Sequence, residues 1–139
     1  MPFTEAELAY LGSRPLGRLA TIAPDGVPQN NPVSFRYNPE THTIDIGGRA
    51  LGDSRKFHNI EANPNVSLIV DDIASFRPWQ VRAVEIRGHA EALRGVDRHM
   101  DHFSAEMIRI HPTRILSWGV DPDHSGIYAR TVTTSRAEQ

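Results

Sequence analysis

The chain has 139 residues, with fifteen basic and seventeen acidic side chains, 39% apolar residues and no cysteine. That length supports one domain burying roughly 68% of its unfolded surface, and the near-balanced charge gives no overall attraction to nucleic acid. Lack of cysteine excludes disulfides, thiolate zinc sites, iron–sulfur clusters and cysteine nucleophiles, and no stretch approaches the ~18 apolar residues that span a bilayer. The acidic opening Met1–Glu5 has no basic or apolar segment of a secretion signal, so a cytoplasmic location is expected.

In chain order, Thr4-x-x-Glu7 reads as a capping box that starts a short helix, flanked by Phe3 and Leu8 as a hydrophobic staple and stopped by Gly12. Leu16–Ala23 reads as a strand, Pro24-Asp25-Gly26 as a tight turn and Val27–Tyr37 as a second strand. Pro28 and Pro32 cannot donate to a ladder, which predicts an edge or a bulge there. After Asn38-Pro39, Thr43–Gly47 alternates as a third strand. Asp53 or Ser54 caps a helix running to about Ala62, which Asn63-Pro64 ends. Val66–Val70 has the apolar run of a buried strand. Asp71–Gln80 reads as a loop holding Pro78 and Trp79, and Val81–Leu93 as a long strand facing the core with Val84, Ile86, Gly88 and Ala90. Asp97–Ser104 suits a short helix, and Met107–Ile110 and Arg114–Trp118 two strands broken at His111-Pro112. From about Asp121 the chain is polar and reads as a partly ordered tail. Short antiparallel strands with few helices predict a mainly β, closed or partly closed barrel spanning residues 1–139 as one domain.

The stretch 47–59 carries the most chemistry. Gly47-Gly48-Arg49-Ala50-Leu51-Gly52 runs into Ser54-Arg55-Lys56 at a helix start, where free N–H groups and the dipole favour phosphate. Ser54 adds a hydroxyl, Arg55 a two-pronged donor and Lys56, the one lysine beside fourteen arginines, a point charge. A solvated helix start with two basic residues is the other reading of this spacing. The loop is neither a Walker loop nor a dinucleotide-binding turn. A second candidate is the polar strand Pro28, Gln29, Asn30, Asn31, Pro32, Val33, Ser34, able to read a heterocycle's edge or to serve as a proline-guarded sheet edge. His99-x-x-His102 and His89-x-Glu91 lack the companions a metal site needs, so no metal is expected.

Taken in order, Leu16-Gly17-Arg18-Leu19-Ala20-Thr21, Pro24-Asp25-Gly26, Pro28–Phe35, Ser54-Arg55-Lys56, Asn63-Pro64, Val70-Asp71-Asp72, Pro78-Trp79 and Ile86–Glu91 resemble the pyridoxamine 5′-phosphate oxidase-like family of FMN-binding split barrels. The likeness is strongest to its actinobacterial, coenzyme F420 (deazaflavin)-dependent oxidoreductases. The resemblance implies a Greek-key split β-barrel and a homodimer with cofactor sites at the subunit interface. It implies that Arg55, Lys56 and Ser54 hold the cofactor phosphate, and that Pro28–Ser34 and Gly47–Arg49 flank the ring. Trp79, Arg82 and Trp118 would serve the partner's cofactor. The family's Arg-x-Val-x-Leu-Lys strand is absent, since Gln29–Phe35 has no lysine and only Arg36 at its end. This favours F420 over FMN. Hydride transfer to an electron-poor quinone, enone or tetrapyrrole is implied, with Arg82 or Arg49 stabilising the resulting anion and solvent supplying the proton. A non-catalytic flavin, deazaflavin or haem binder, and an interaction protein that has lost its ligand, are the competing readings.

Overall fold

The computed structural model describes residues 1–98 and 100–133. Helix α1, Glu5–Gly12, opens on the expected capping box: the Glu7 N–H donates to Thr4 Oγ1 at 3.1 Å and the Thr4 N–H to Glu7 Oε1 at 2.9 Å. Strands β1 (Gly17–Ile22) and β2 (Pro28–Val33) pair around Gly26, whose φ of 85° the turn requires. Strands β3 (Arg36–Asn38) and β4 (Thr43–Ile46) lead to a 3-10 turn at Leu51–Asp53 and helix α2, Arg55–Ala62. The long strands β5 (Asn65–Phe76), β6 (Trp79–Arg94) and β7 (Glu106–Trp118) form the spine, followed by β8 (Ile127–Thr131).

All the described ladders are antiparallel, in the order β2-β1-β5-β6-β7-β4-β3, with β8 also paired to β7. The mainly β, split-barrel architecture expected from the sequence is present. β7 shares one edge with β6 and divides the other between β4, at Ile108–Ile110, and β8, at Arg114–Trp118. Leu19, Leu68, Ile86, Ile110 and Ile115 fill the interior and Phe57 plugs it from α2, all completely shielded. Each such burial stabilises by about 1.5–3 kcal/mol. Among the described residues, no helix is long and apolar enough to cross a membrane.

Five expectations change. Val27–Tyr37 is two strands, not one. β2 and β3 lie at opposite ends of the strand order, and only Ser34 and Phe35 carry the chain between them. The predicted proline edge is real, since β2 pairs with β1 alone. β4 does not alternate: all four residues are buried, because Asp45 lies beneath a network of partners rather than in water. Asp71–Gln80 is no loop; the β5–β6 hairpin continues to Phe76 opposite Trp79, and Asp72 stays in the ladder because Arg82 faces and pairs with it. The described residues of Asp97–Ser104 form turns and bends instead of a helix. Finally, β7 runs unbroken through Pro112, which sits at a bulge opposite Gly88, where any Cβ would strike the His111 carbonyl.

Within the tail, residues 127–131 form a strand that the sequence reading did not assign. Its anchor is Arg130, whose guanidinium reaches both oxygens of Glu7, with Nη1 donating to Oε2 at 2.7 Å, and also donates to the Pro2 carbonyl at 2.8 Å. Glu7 is fully buried and also accepts from Ser117 Oγ at 2.6 Å. Burial alone raises the Glu7 pKa, but hydrogen bonds from Arg130, Ser117 and the Thr4 N–H outweigh it and hold the carboxyl below its ordinary value. A carboxylate depressed in this way stabilises the fold above its unfolded pKa, and that contribution is lost as pH falls through the folded value. Arg130→Ala should therefore lower stability by about 3–5 kcal/mol at neutral pH. In thermal melts, the gap to wild type should narrow as pH drops below the carboxylate range.

Candidate active site

Helix α2 begins in an unusual electrostatic state. Ser54 is its N-cap, with Oγ accepting from the Phe57 N–H at 3.3 Å and donating to the Leu51 carbonyl at 2.6 Å. The hydroxyl hydrogen is thus committed inside the protein. Arg55 and Lys56 occupy the first turn, and no acidic residue joins them there. Cations at the positive end of a helix dipole are unfavourable by about 0.3–1 kcal/mol each. Among the described residues, the only arginines and lysine without a side-chain hydrogen-bond or ion-pair partner are Arg49, Arg55, Lys56 and Arg77. Three of those four cluster at the glycine-rich loop and the start of α2.

This loop is held from behind by the segment after β6. The Ser104 N–H donates to the Gly48 carbonyl at 2.8 Å, Ser104 Oγ accepts from the Leu51 N–H at 3.1 Å, and the Gly52 N–H donates to Glu106 Oε1 at 2.9 Å. Hydrogen bonding from the Ser104 side chain and from the Gly52 N–H keeps the Glu106 carboxyl below its ordinary pKa. The close approach that glycine permits is used partly by the protein itself. A Cβ on Gly47 would lie 2.5 Å from the Phe103 ring, whereas Gly48 meets nothing nearer than Leu51 at 3.7 Å and is open.

On the polar strand, Pro28, Asn30, Asn31, Pro32 and Ser34 are exposed, Val33 is buried and Gln29 is half-buried. Gln29 Oε1 accepts from Asn59 Nδ2 at 2.8 Å, and Asn59 also donates to Thr21 Oγ1 at 2.9 Å. Asn59 is buried, so a single amide on α2 fixes the cation-bearing helix against β1 and β2. The sequence reading missed Asn59; its spacing of four from Arg55 was the available signal, since it puts both on nearby turns of one helix.

The remaining candidates lie elsewhere. Arg82 forms a two-pronged pair with Asp72 at 3.0 and 2.6 Å, and Asp72 also engages Arg14 at 3.2 Å and the Tyr10 hydroxyl at 2.7 Å. Burial and the Asp72 carboxylate push the Tyr10 phenol far above its usual pKa. The guanidinium expected to stabilise an anion therefore has two of its donors committed to Asp72. Trp118 is half-buried opposite Ala83, beside Arg82, and Trp79 stands 63% exposed at the hairpin tip, edge-on to Phe76. Helix α2 meets β6 at Arg94, through the Arg94–Glu61 pair, and the chain just after the helix meets it at Ala90, whose N–H donates to the Pro64 carbonyl. Arg82 lies eight residues earlier, about 26 Å along an extended strand. One chain does not bring the two groups together. Of the histidine candidates, Glu91 pairs with His111 and His99 lies outside the described residues.

Between residues 34–36, Gly47 and residues 97–98 and 100–107 lies a pocket of about 180 Å³. It adjoins both elements expected to flank a ring. A model of pyridoxamine 5′-phosphate oxidase matches residues 3–138. The chain belongs to this family. A relative from Streptomyces rimosus, a 5a,11a-dehydrotetracycline/5a,11a-dehydrooxytetracycline reductase, is 48% identical over 135 residues, covering 96% of this chain and 95% of its own. A solved F420 reductase is 25% identical with a TM-score of 0.59, covering 83% of this chain and 98% of its own. A haem-binding protein from Mycobacterium smegmatis shares the fold at 17% identity and TM-score 0.65, covering 94% of this chain and 59% of its own. The protein is an oxidoreductase of the flavin-binding split-barrel family.

Asn59→Ala would leave Gln29 without its donor and free α2 from β1. It should cost about 1–3 kcal/mol of stability, measured by urea titration, and weaken any ligand held at the α2 start in parallel.

Proposed function

We propose that the protein is an F420-dependent reductase whose cofactor phosphate docks at the start of α2. The observation that carries this is the cluster of unpaired cations, Arg49, Arg55 and Lys56, at a helix whose first turn holds no acid, where Asp53, just before the cap, is the one carboxylate against three cations in residues 49–56. A folded protein keeps such a local conflict where a ligand resolves it. The donor set suits a phosphorylated flavin-type cofactor: the fork of Arg55, the point charge of Lys56 and the first-turn N–H groups suit a phosphate. Arg49, on the exposed rim, suits the acidic tail that a deazaflavin carries beyond that phosphate and FMN lacks. Ser54 serves as the cap and orients the turn. When bound, the reduced deazaflavin supplies a hydride.

The separation of Trp79, Arg82 and Trp118 from α2 supports the homodimer reading, in which the β5–β6 hairpin of one copy covers the cofactor of the other. Exposed Phe76 and Trp79 give that hairpin the apolar surface such a contact needs. By analogy with the dehydrotetracycline-reducing relative, the acceptor is a fused polycycle with an electron-poor ring double bond, and the chain's contribution is to position it and exclude water.

Replacing Arg55 and Lys56 together by alanine removes two charge-assisted contacts of about 1.5–3 kcal/mol each, so cofactor affinity should fall on the order of 100-fold or more. Parallel fluorescence titrations with F420 and FMN should show tighter binding of F420 to wild type. Affinity unchanged within about threefold in the double variant would place the phosphate elsewhere.

A further inference from the structure

We propose that Arg36, set beside Asp45 at the base of the pocket next to Gly47, is the cation that receives the negative oxygen of the acceptor. The inference rests on the reductase reading above and names the acceptor's chemistry: a flat, apolar polycycle carrying an acidic enol or ketone oxygen on one edge.

Asp45 is 2% exposed, and its carboxylate is saturated. It accepts from Arg109 Nε and Nη2, both at 3.1 Å, from Asn38 Nδ2 at 3.0 Å and from Thr43 Oγ1 at 2.8 Å. Burial raises its pKa, but these donors, Arg109 first among them, outweigh it and keep the group ionised. Arg36 stands apart, with Nη2 3.7 Å from Asp45 Oδ2, close enough for attraction but too far for a hydrogen bond. One carboxylate thus faces two guanidiniums. Arg109 takes its hydrogen bonds, and Arg36, attracted but not hydrogen-bonded, retains its donors.

The surroundings fit a ring. Phe35, Phe103, Met100 and Met107 supply apolar wall. Of the acids nearby, Glu106 is turned onto the Gly52 N–H at 2.9 Å, and Asp97 is exposed at the mouth beside Arg98. About 180 Å³ accommodates one or two fused rings, so the rest of a larger polycycle would extend past Ser34. Ser34 and Gly47 border the elements assigned to the cofactor ring, which puts the acceptor's double bond between cofactor and Arg36. When hydride reaches the β-carbon, the C=C electron pair moves through the α-carbon onto the carbonyl oxygen. Arg36 holds the enolate so formed, and a solvent proton added at the α-carbon completes the reduction. In a low-dielectric pocket, a fixed cation at the oxygen stabilises this charge far more than water would.

Tetracycline, a fused polycycle with acidic enols but without the 5a,11a double bond, serves as an unreactive probe. It is titrated by calorimetry into wild type, Arg36→Ala and Arg36→Lys, with and without added cofactor, alongside F420 and FMN titrations of each. Arg36→Ala should weaken tetracycline binding about tenfold or more, Arg36→Lys should recover part of the loss, and cofactor affinity should stay within about threefold. Arg109 still satisfies Asp45 in both variants, so the melting temperature should hold, and Arg36→Lys keeps the test decisive if the alanine variant is unstable. Tetracycline affinity unchanged within twofold in both variants would overturn the proposal. So would a loss confined to the cofactor, which would assign Arg36 to the other ligand. Failure of the reductase reading registers separately, as cofactor affinity indifferent to Arg55 and Lys56.

Discussion

The barrel closes through the chain rather than through a ladder. β2 and β3 end the strand order on opposite sides, yet they are consecutive in sequence, and Ser34 and Phe35 span the interval. Backbone groups along the outer edge of β2 consequently have no strand partner among the described residues. Prolines at 28 and 32 remove two donors that would otherwise invite aggregation there. The pocket and the polar strand both arise from this incomplete closure, because a sealed barrel of this size fills its interior with side chains.

Charge is distributed along the same lines. Most of the arginines are spent on structure: Arg130 on Glu7, Arg82 and Arg14 on Asp72, Arg109 on Asp45, Arg87 on Glu85. The buried carboxylates Glu7 and Asp45 join distant parts of the chain, α1 to β8 and β4 to β7, so the cost of dehydrating them is offset by several donors at once. Against this background of satisfied pairs, the free cations near α2 stand out. Composition alone, with its near-zero net charge, concealed them.

The two halves of the site differ in how they are held. Asn59, Ser54 and Ser104 hold the α2 start through short, local hydrogen bonds. Trp79 stands exposed at the tip of the β5–β6 hairpin, and Trp118 lies half-buried at the end of β7. In the dimer proposed above, the anion cradle of one copy would be complementary to the projecting aromatic arm of the other.

Local chemistry made much of this readable in advance. The Thr4–Glu7 box, the Gly26 turn, the Ser54 cap, the Asn63-Pro64 stop and the inward face of β6 each depend on residues within a few positions of one another. Sequence periodicity and capping chemistry therefore determined them, together with the cation cluster at 49–56. Tertiary structure alone decided what depends on partners far along the chain. Asp72 stays in a strand because Arg82 faces it across the ladder, and residues 127–131 form a strand because Arg130 finds Glu7 more than a hundred residues away. Arg82 is paired with Asp72 and Arg36 left with free donors for the same reason. Which cation meets which carboxylate depends on strand order, and no local pattern in the sequence encodes that order.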